Sequence, residues 1–196
     1  MRLFVAIVPP PQVCADAARR VAQLPSALRA ELKRIAPERF HLTLAFLGDV
    51  DEQKVGPLTD CLRSVADHTP ALDLQLATAG HFDGRVLWLG VCGDVEPLHR
   101  LADNVAAAVT DIGLTLRQKP HRPHLTVART RGSLDVLAAV ADLATYDGQP
   151  WRAEQLTLMR SRLGPIPAYE RQGDWALPAK RPATRTAPPR ARPVRA

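Results

Sequence analysis

Two histidines stand in closely similar tetrapeptides, His41-Leu-Thr-Leu and His124-Leu-Thr-Val, one in each half of the chain and 83 residues apart. Side chains alternate between the two faces of a strand, so each histidine shares a face with the threonine two residues later. The leucine and valine side chains on the opposite face are typical of a core. Two such strands lying side by side would place two imidazoles and the hydroxyls of Thr43 and Thr126 around one small volume.

A phosphate group fits this set of side chains. Threonine hydroxyls can donate hydrogen bonds to phosphate oxygens, and histidine, with an ordinary pKa near about 6.5, can accept or donate a proton at neutral pH. His41 and His124 are therefore predicted to be catalytic, one taking a proton from water and the other giving one to a leaving alcohol. Arg129, at the end of the second strand, could add bidentate contacts to a phosphate bound by Thr43 and Thr126. This scheme requires no metal and no cofactor.

The other histidines lack a matching partner motif. A single His-x-Thr in a strand is more often structural than catalytic, and it is the repetition that favours an acid–base pair. His121 precedes His124 by three residues, a spacing that points the two rings to opposite faces of a strand, and no carboxylate or cysteine is adjacent. We therefore predict no metal site. The remaining candidates without a companion pattern are His68, His81 and His99.

The bulk composition is that of a globular protein. The chain has 196 residues, of which 46% are hydrophobic, and no apolar run approaches the roughly 20 residues that span a bilayer. The N-terminal run reads as a strand followed by prolines rather than as a secretory signal. Three widely spaced cysteines indicate neither a disulfide framework nor a metal knuckle. We expect a cytoplasmic monomer that does not bind membranes.

The positive charge of the chain is concentrated at its end. The sequence holds 26 Lys and Arg against 20 Asp and Glu, and six of the basic residues lie in 178–196, which contains no acid. Residues 1–177 are therefore formally neutral and are predicted to form the domain. Residues 178–196, rich in proline, alanine and arginine, are predicted to be a disordered basic tail. This tail could hold a polyanion by counterion release or could be a solvated appendage.

Alternation and helical periodicity predict the elements that must position the two motifs. Several predicted strands stand in hairpin relation, which favours an α+β fold with largely antiparallel sheets over a doubly wound parallel sheet. The resemblance of RFHLTLAFLG to RPHLTVART indicates two pseudo-symmetric lobes around a shared cleft. Strands are predicted at 3–8, 40–47, 72–79, 85–91, 124–129, 155–162 and 168–177, and helices at 12–24, 26–34, 52–66, 94–111 and 133–143.

Five segments carry a family resemblance: RLFVAI at 2–7, HLTLAFLG at 41–48, RVLWLGV at 85–91, RPHLTVAR at 122–129 and LMRSRLGPIPAYE at 158–170. In these segments the chain resembles the bacterial and archaeal RNA 2',3'-cyclic phosphodiesterases of the 2H phosphoesterase superfamily, also called 2'-5' RNA ligases. The resemblance covers nearly all of residues 1–177 and excludes the tail. His121 departs from the family, which often has an aromatic or apolar residue there, and we expect no catalytic consequence.

The resemblance implies a bilobal α+β fold with the active site in the groove between the lobes. It implies hydrolysis of RNA ends or nucleoside phosphates that carry a 2',3'-cyclic phosphate to 2'-phosphates, and in some members reversible 2'-5' joining of RNA. By motif position, His41 would protonate the departing 3' oxygen and His124 would activate the attacking water. Thr43, Thr126 and Arg129 would hold the phosphate. Phe46, five residues after His41, could help to frame the nucleoside if a bulge intervenes, but strict alternation puts it on the opposite face, where we expect it to pack in the core.

Two alternatives remain open at the level of sequence. One is a 2H enzyme with another substrate, such as ADP-ribose 1'',2''-cyclic phosphate or a 2'-5' oligonucleotide. The other is a module that binds RNA ends without turnover, although pure binding does not need a proton-transferring pair of histidines.

Overall fold

The computed structural model describes residues 1–116, 121–130, 136–162, 164 and 168–180. Five α-helices and nine β-strands occur within these residues, together with a single 3-10 turn at Pro37–Arg39. The helices are α1 (Pro11–Ala22), α2 (Ser26–Glu31), α3 (Glu52–Asp67), α4 (Val95–Asp111) and α5 (Val136–Leu143). The strands are β1 (Arg2–Ile7), β2 (Leu32–Arg34), β3 (Leu42–Asp49), β4 (Leu72–Phe82), β5 (Val86–Gly93), β6 (His124–Thr130), β7 (Trp151–Ala153), β8 (Gln155–Arg162) and β9 (Ala168–Ala176).

Local sequence explains why the helices form where they do. Helix α1 begins at Pro11, where a backbone N–H would have no helical partner in any case. Its buried residues Val13, Ala17 and Val21 recur every fourth position and form one apolar stripe. Two arginines occupy the last turn of this helix, where positive charge complements the helix dipole. The stripe of α1 therefore fixes which side of the helix packs on the sheet.

All nine strands belong to one sheet, and the registered strand pairs are antiparallel. The main path runs β7-β4-β5-β6-β3-β1-β8-β9, and β2 pairs with β6 off this path. The sheet divides into lobe 1, made of β1, β3, β8 and β9, and lobe 2, made of β2, β4, β5, β6 and β7. Between β3 and β6 a single registered pair, Leu42 with Leu125, joins the two lobes.

The two faces of the sheet are used differently. Helices α1, α3, α4 and α5 all contribute buried residues to one continuous core on the first face. The second face, which we call the open face, carries a small separate cluster of Phe4, Ala6 and Met159, with Tyr169 packed against it. The open face is therefore where polar groups of the motifs can meet a ligand.

The predicted fold class is confirmed: the molecule is α+β, antiparallel and bilobal. The lobes are interleaved in sequence, however, because β8 and β9 return to lobe 1 and β2 crosses to lobe 2. The helix predicted for 26–34 ends at Glu31, and its last three predicted residues form β2 instead. Strand β7 was not predicted, since it is only three residues long. Residues 133–135 of the last predicted helix lie outside the described residues.

The structure describes the first three residues of the predicted tail. The Pro178 carbonyl accepts a hydrogen bond from the Ala71 N–H at 2.8 Å. The Lys180 ammonium forms ion pairs with Asp73, at 3.0 Å, and with Asp94. Residues 181–196 lie outside the described residues, so the domain boundary and the basic tail stay predictions. In the described part of the chain, no helix combines the length and apolar character needed to cross a bilayer.

Candidate active site

The two histidine motifs meet at the junction of the lobes. Leu42 and Leu125 are paired across β3 and β6, and their side chains are 1% and 0% exposed on the core face. The residues that flank each leucine therefore point to the open face. Extending this antiparallel pairing by one residue in each direction places His41 beside Thr126 and Thr43 beside His124. The junction thus brings together the two imidazoles and the two hydroxyls of the repeated motif.

Each motif is followed by a β-bulge at the equivalent position. In β3 the pairing with β1 shifts between Val5 and Ala6, which leaves Leu44 as the extra residue. In β6 the pairing with β5 shifts between Leu87 and Trp88, which leaves Val127 as the extra residue. The extra residue and its successor are buried in both strands. Because a bulge inserts one residue, it reverses the alternation of side chains that follow it.

The bulges decide where two predicted residues lie. Strict alternation would put Phe46 and Arg129, each five residues after a motif histidine, on the core face. The bulges return both to the open face, where Phe46 pairs with Phe4 and is 69% exposed. The expectation that Phe46 packs in the core is therefore wrong. Arg129 is also exposed, so the two lobes present an aromatic ring and a guanidinium at equivalent positions.

Backbone carbonyls orient both imidazoles in the same way. Nδ1 of His41 lies 2.8 Å from the Arg39 carbonyl oxygen, and Nδ1 of His124 lies 2.7 Å from the Arg122 carbonyl oxygen. A carbonyl can only accept, so Nδ1 carries the hydrogen in each ring. Nε2 is then the atom of each neutral imidazole that can accept a proton, or donate one when the ring is charged.

Aromatic rings pack against His41 in lobe 1. The ring centroid of Phe4 lies 4.8 Å from that of His41, and the Tyr169 ring meets the imidazole edge-on at 5.2 Å. The Arg39 guanidinium lies 5.0 Å from the centroid of the Tyr169 ring, within cation–π range. These contacts hold the imidazole in place and remove much of it from water.

His124 has a similar setting in lobe 2. The Phe82 ring meets it edge-on at 4.8 Å and the Trp88 ring lies 6.2 Å away. The Arg122 guanidinium lies 6.0 Å from both aromatic centroids. An added Cβ at Gly80 would stand 2.2 Å from the Trp88 indole, so glycine is what allows the indole to lie across β4. Each histidine therefore has a carbonyl, an arginine and two aromatic rings around it.

Burial lowers the pKa of both motif histidines, His41 and His124. The hydrogen bond to the Arg39 carbonyl opposes this effect for His41, while the charges of His124 and Arg39 lower its pKa further. For His124, the hydrogen bond to the Arg122 carbonyl opposes burial and the Arg122 charge adds to it. A charge on His124 therefore disfavours a second proton on His41. Acid–base catalysis by two groups needs one of them protonated and the other neutral.

His121 contacts the site from the side. Its Nε2 lies 3.1 Å from the Thr43 carbonyl oxygen, and its ring meets the His99 ring edge-on at 5.3 Å. Burial lowers the pKa of His121, and the nearby charges of His99 and His124 act in the same direction. The hydrogen bond of His121 therefore links the segment before β6 to the backbone of β3.

All five predicted site residues lie at the junction or on the strand that leads from it. The arginines and aromatic rings that pack around the two histidines are not among the residues predicted from the sequence. The arginine two residues before each histidine was visible in the repeated R-x-H-L-T sequence but had no assigned role. The aromatic residues come from β1, β4, β5 and β9, and no local pattern ties them to the motifs. Within the described ranges, no group of three or more His, Cys, Asp or Glu side chains is arranged to hold a metal ion.

The chain belongs to the 2'-5' RNA ligase superfamily, whose family model matches residues 9–165. A relative from Geobacillus stearothermophilus named RNA 2',3'-cyclic phosphodiesterase is 32% identical over 142 residues, which is 68% of this chain but only 44% of the relative. A relative of the same name from Aeropyrum pernix is 31% identical over 56% of this chain and 63% of its own length. One from Methanothermobacter thermautotrophicus is 29% identical over 79% of this chain and 87% of its own length.

Solved structures agree with the fold. The crystal structure of TT0787 from Thermus thermophilus superposes with a TM-score of 0.76 at 25% identity, covering 92% of this chain and all of that one. The crystal structure of E. coli LigT with 3'-AMP superposes with a TM-score of 0.73 at 25% identity, covering 90% of this chain and 97% of that one. The predicted family and the bilobal fold are thereby confirmed.

Proposed function

We propose that this protein hydrolyses RNA 2',3'-cyclic phosphate ends to 2'-phosphates, with His41 and His124 as its acid and base. The observation that carries the proposal is the pair of carbonyl-oriented imidazoles set beside two threonines at the junction of the lobes. The names of the curated relatives and the nucleotide bound to E. coli LigT support the substrate class.

The proposed reaction requires two proton transfers. Neutral His124 takes a proton from water through Nε2 as the water oxygen attacks phosphorus. The bond between phosphorus and the 3' oxygen breaks, and protonated His41 gives its Nε2 proton to that oxygen. The product is a 2'-phosphate beside a free 3'-hydroxyl, and exchange with solvent resets both rings. The assignment of acid and base follows the family resemblance, and a 5'-hydroxyl attacking in place of water would give 2'-5' joining.

Substrate binding is assigned to the groups that surround the histidines on the open face. Thr43 and Thr126 donate hydroxyl hydrogen bonds to the phosphate oxygens. Arg129 adds a charge-assisted contact from the rim of lobe 2. Phe46, exposed on the rim of lobe 1, offers its ring face for stacking by the terminal base, an interaction that tolerates any base.

The first experiment measures hydrolysis of an oligoribonucleotide that ends in a 2',3'-cyclic phosphate, with EDTA present. We expect the intact protein to form a 2'-phosphate, and His41→Ala and His124→Ala each to lower kcat by about 10²- to 10⁴-fold. His68→Ala is the matched control, since His68 is exposed at the end of α3. Loss of activity in EDTA with rescue by a metal ion would overturn the metal-independent scheme.

A second substrate distinguishes the histidine that acts as the acid from the histidine that acts as the base. Replacing the 3' bridging oxygen with sulfur gives a leaving group that needs little protonation. His41→Ala should recover most of its lost activity on this substrate and His124→Ala should not. The reverse pattern would exchange the two assignments, and equal recovery would contradict distinct proton-transfer roles.

We propose a cytoplasmic monomer, consistent with free thiols at Cys14, Cys61 and Cys92. Light scattering on the purified protein and fractionation of cells that express it test the two parts separately. A panel containing ADP-ribose 1'',2''-cyclic phosphate and 2'-5' oligonucleotides tests the alternative substrates, and RNA-end binding without turnover would favour the binding module.

A further inference from the structure

A row of two cations leads away from the cleft on the open face of lobe 2. Strand β2 pairs with β6 in a register that sets Lys33 directly opposite Arg129, and β5 sets Val86 on the other side of Arg129. Residues directly opposite in an antiparallel pair project from the same face. Since the bulge at Val127 turns Arg129 to the histidine face, Lys33 projects from that face too.

The surroundings of these cations leave their charges available. Lys33 and Arg129 are both exposed, and in the described part of the chain neither takes part in an ion pair, whereas Arg20, Arg152 and Lys180 do. Leu32, one residue before Lys33, is buried and holds β2 on the core. The short strand therefore presents one lysine at a fixed place beside Arg129.

Lys33 lies too far from the two threonines to contact a cyclic phosphate bound beside them. Arg129 lies three residues beyond Thr126 on β6, which is about 10 Å at most along the strand, and Lys33 lies about 5 Å further to the side. A mononucleotide with a cyclic phosphate carries one negative charge, which the threonines and Arg129 already bind in the proposed function. Lys33 then has no phosphate to contact unless the substrate continues as a chain.

We propose that Lys33, next to Arg129, binds the phosphodiester that precedes the cyclic phosphate in RNA, and so makes the enzyme prefer RNA chains to mononucleotides. This inference rests on the proposed function. Arg129, with five N–H donors, lies between the two phosphates and can contact either. The RNA chain accordingly leaves the cleft over the end of β6 and β2.

A lysine on an edge strand also has a simpler explanation. Charged residues on edge strands discourage pairing with other chains, and Arg34 would serve that purpose equally well. Arg34 is exposed like Lys33 but pairs with Ala128, which is buried. Alternation therefore directs Arg34 away from the histidine face. Arg34→Ala removes the same charge from the same strand and is the matched control for Lys33→Ala.

The experiment compares two substrates that differ by one phosphodiester and its nucleoside: a nucleoside 2',3'-cyclic phosphate and a dinucleotide ending in a 2',3'-cyclic phosphate. We expect Lys33→Ala to lower kcat/KM for the dinucleotide about fivefold, through KM, and to leave the mononucleotide within about twofold. Lys33→Arg should retain the preference, and Arg34→Ala should change neither substrate. Lys33→Ala should also make kcat/KM for the dinucleotide less sensitive to salt concentration, because a charge interaction that salt screens is lost.

The outcomes separate this inference from the proposed function. If the intact protein hydrolyses the mononucleotide but Lys33→Ala leaves the dinucleotide unchanged, the inference is overturned and the proposed function stands. Equal losses of kcat/KM in Lys33→Ala and Arg34→Ala would overturn the inference as well, because they would indicate a general effect of positive charge. Equal losses for both substrates in Lys33→Ala would also overturn it, because they would indicate a structural effect. No turnover of either substrate by the intact protein would remove both proposals.

Discussion

At the junction between the lobes, β3 and β6 share one registered pair of buried leucines, and Leu125→Ala tests how far this pair holds the junction together. Leu125 is 0% exposed and pairs with Leu42. Truncation of a fully buried leucine lowers the free energy of unfolding by about 3–5 kcal/mol. For a chain of this size each kcal/mol corresponds to about 2–4 °C, so the melting temperature should fall by about 6–20 °C. Urea and thermal unfolding measure both quantities.

The same substitution should also lower activity, because the residues on both sides of Leu125 belong to the proposed site. Leu58→Ala is the control: Leu58 is equally buried but lies on α3, which packs against α4, β8 and β9. Both variants should lose similar stability. At a temperature where both are folded, Leu125→Ala should lower kcat about 10- to 100-fold, since small misplacements of catalytic groups have effects of that size. Leu58→Ala should stay within about twofold.

Two results would refute this reasoning. A stability loss below about 1 kcal/mol for Leu125→Ala would mean that the pair does not hold the lobes together, given the usual range for buried leucines. Equal losses of activity in the two variants would mean that destabilisation alone, rather than displacement of the motifs, explains the effect.

Burial lowers the pKa of His41 and His124. The plot of kcat/KM against pH should therefore be bell-shaped, with both limbs below the ordinary histidine pKa. A flat pH profile would contradict this expectation. The Arg122 cation adds to the effect of burial on His124, so Arg122→Gln, which keeps the backbone carbonyl, should move one limb to higher pH. His121→Phe removes the hydrogen bond to the Thr43 carbonyl and should lower stability by about 0.5–1.5 kcal/mol. Its kcat should remain unchanged, and a tenfold loss would instead make His121 a positioning residue.

Alternation along strands was sufficient to predict which side chains of the motifs meet at the junction of the lobes. A histidine and a threonine around a leucine define two faces without reference to any other part of the chain. Burial of Leu42 and Leu125 follows from the hydrophobic effect alone, and once they are buried the polar partners must face outward. The repetition of the motif then indicated that two such strands meet.

Alternation failed where the pairing of strands decided the outcome. A bulge depends on how many residues a neighbouring strand offers, so the extra residues Leu44 and Val127 leave no mark in their own sequence. Phe46 was therefore expected on the wrong face, and Arg129 reaches the open face for a reason that the sequence does not contain. The sequence pattern predicts helix for the three residues of β2 because they follow a helical run, whereas pairing with β6 outweighs local propensity.

The two histidines lie in pseudo-symmetric surroundings, so the assignment of acid and base depends on features further from the rings. Both histidines have the same kind of hydrogen bond, the same kind of neighbouring cation and two aromatic rings, so their immediate surroundings do not distinguish acid from base. The difference lies at the rims, where lobe 1 offers Phe46 and lobe 2 offers Arg129 with Lys33. If the RNA chain crosses lobe 2 and its last base stacks on lobe 1, the orientation of the ribose is fixed, and with it the histidine nearest the departing oxygen. The sulfur-substituted substrate and the Lys33 variants therefore test the same orientation of the bound RNA. The first reports which histidine lies nearest the departing oxygen, and the second reports which lobe the RNA chain crosses.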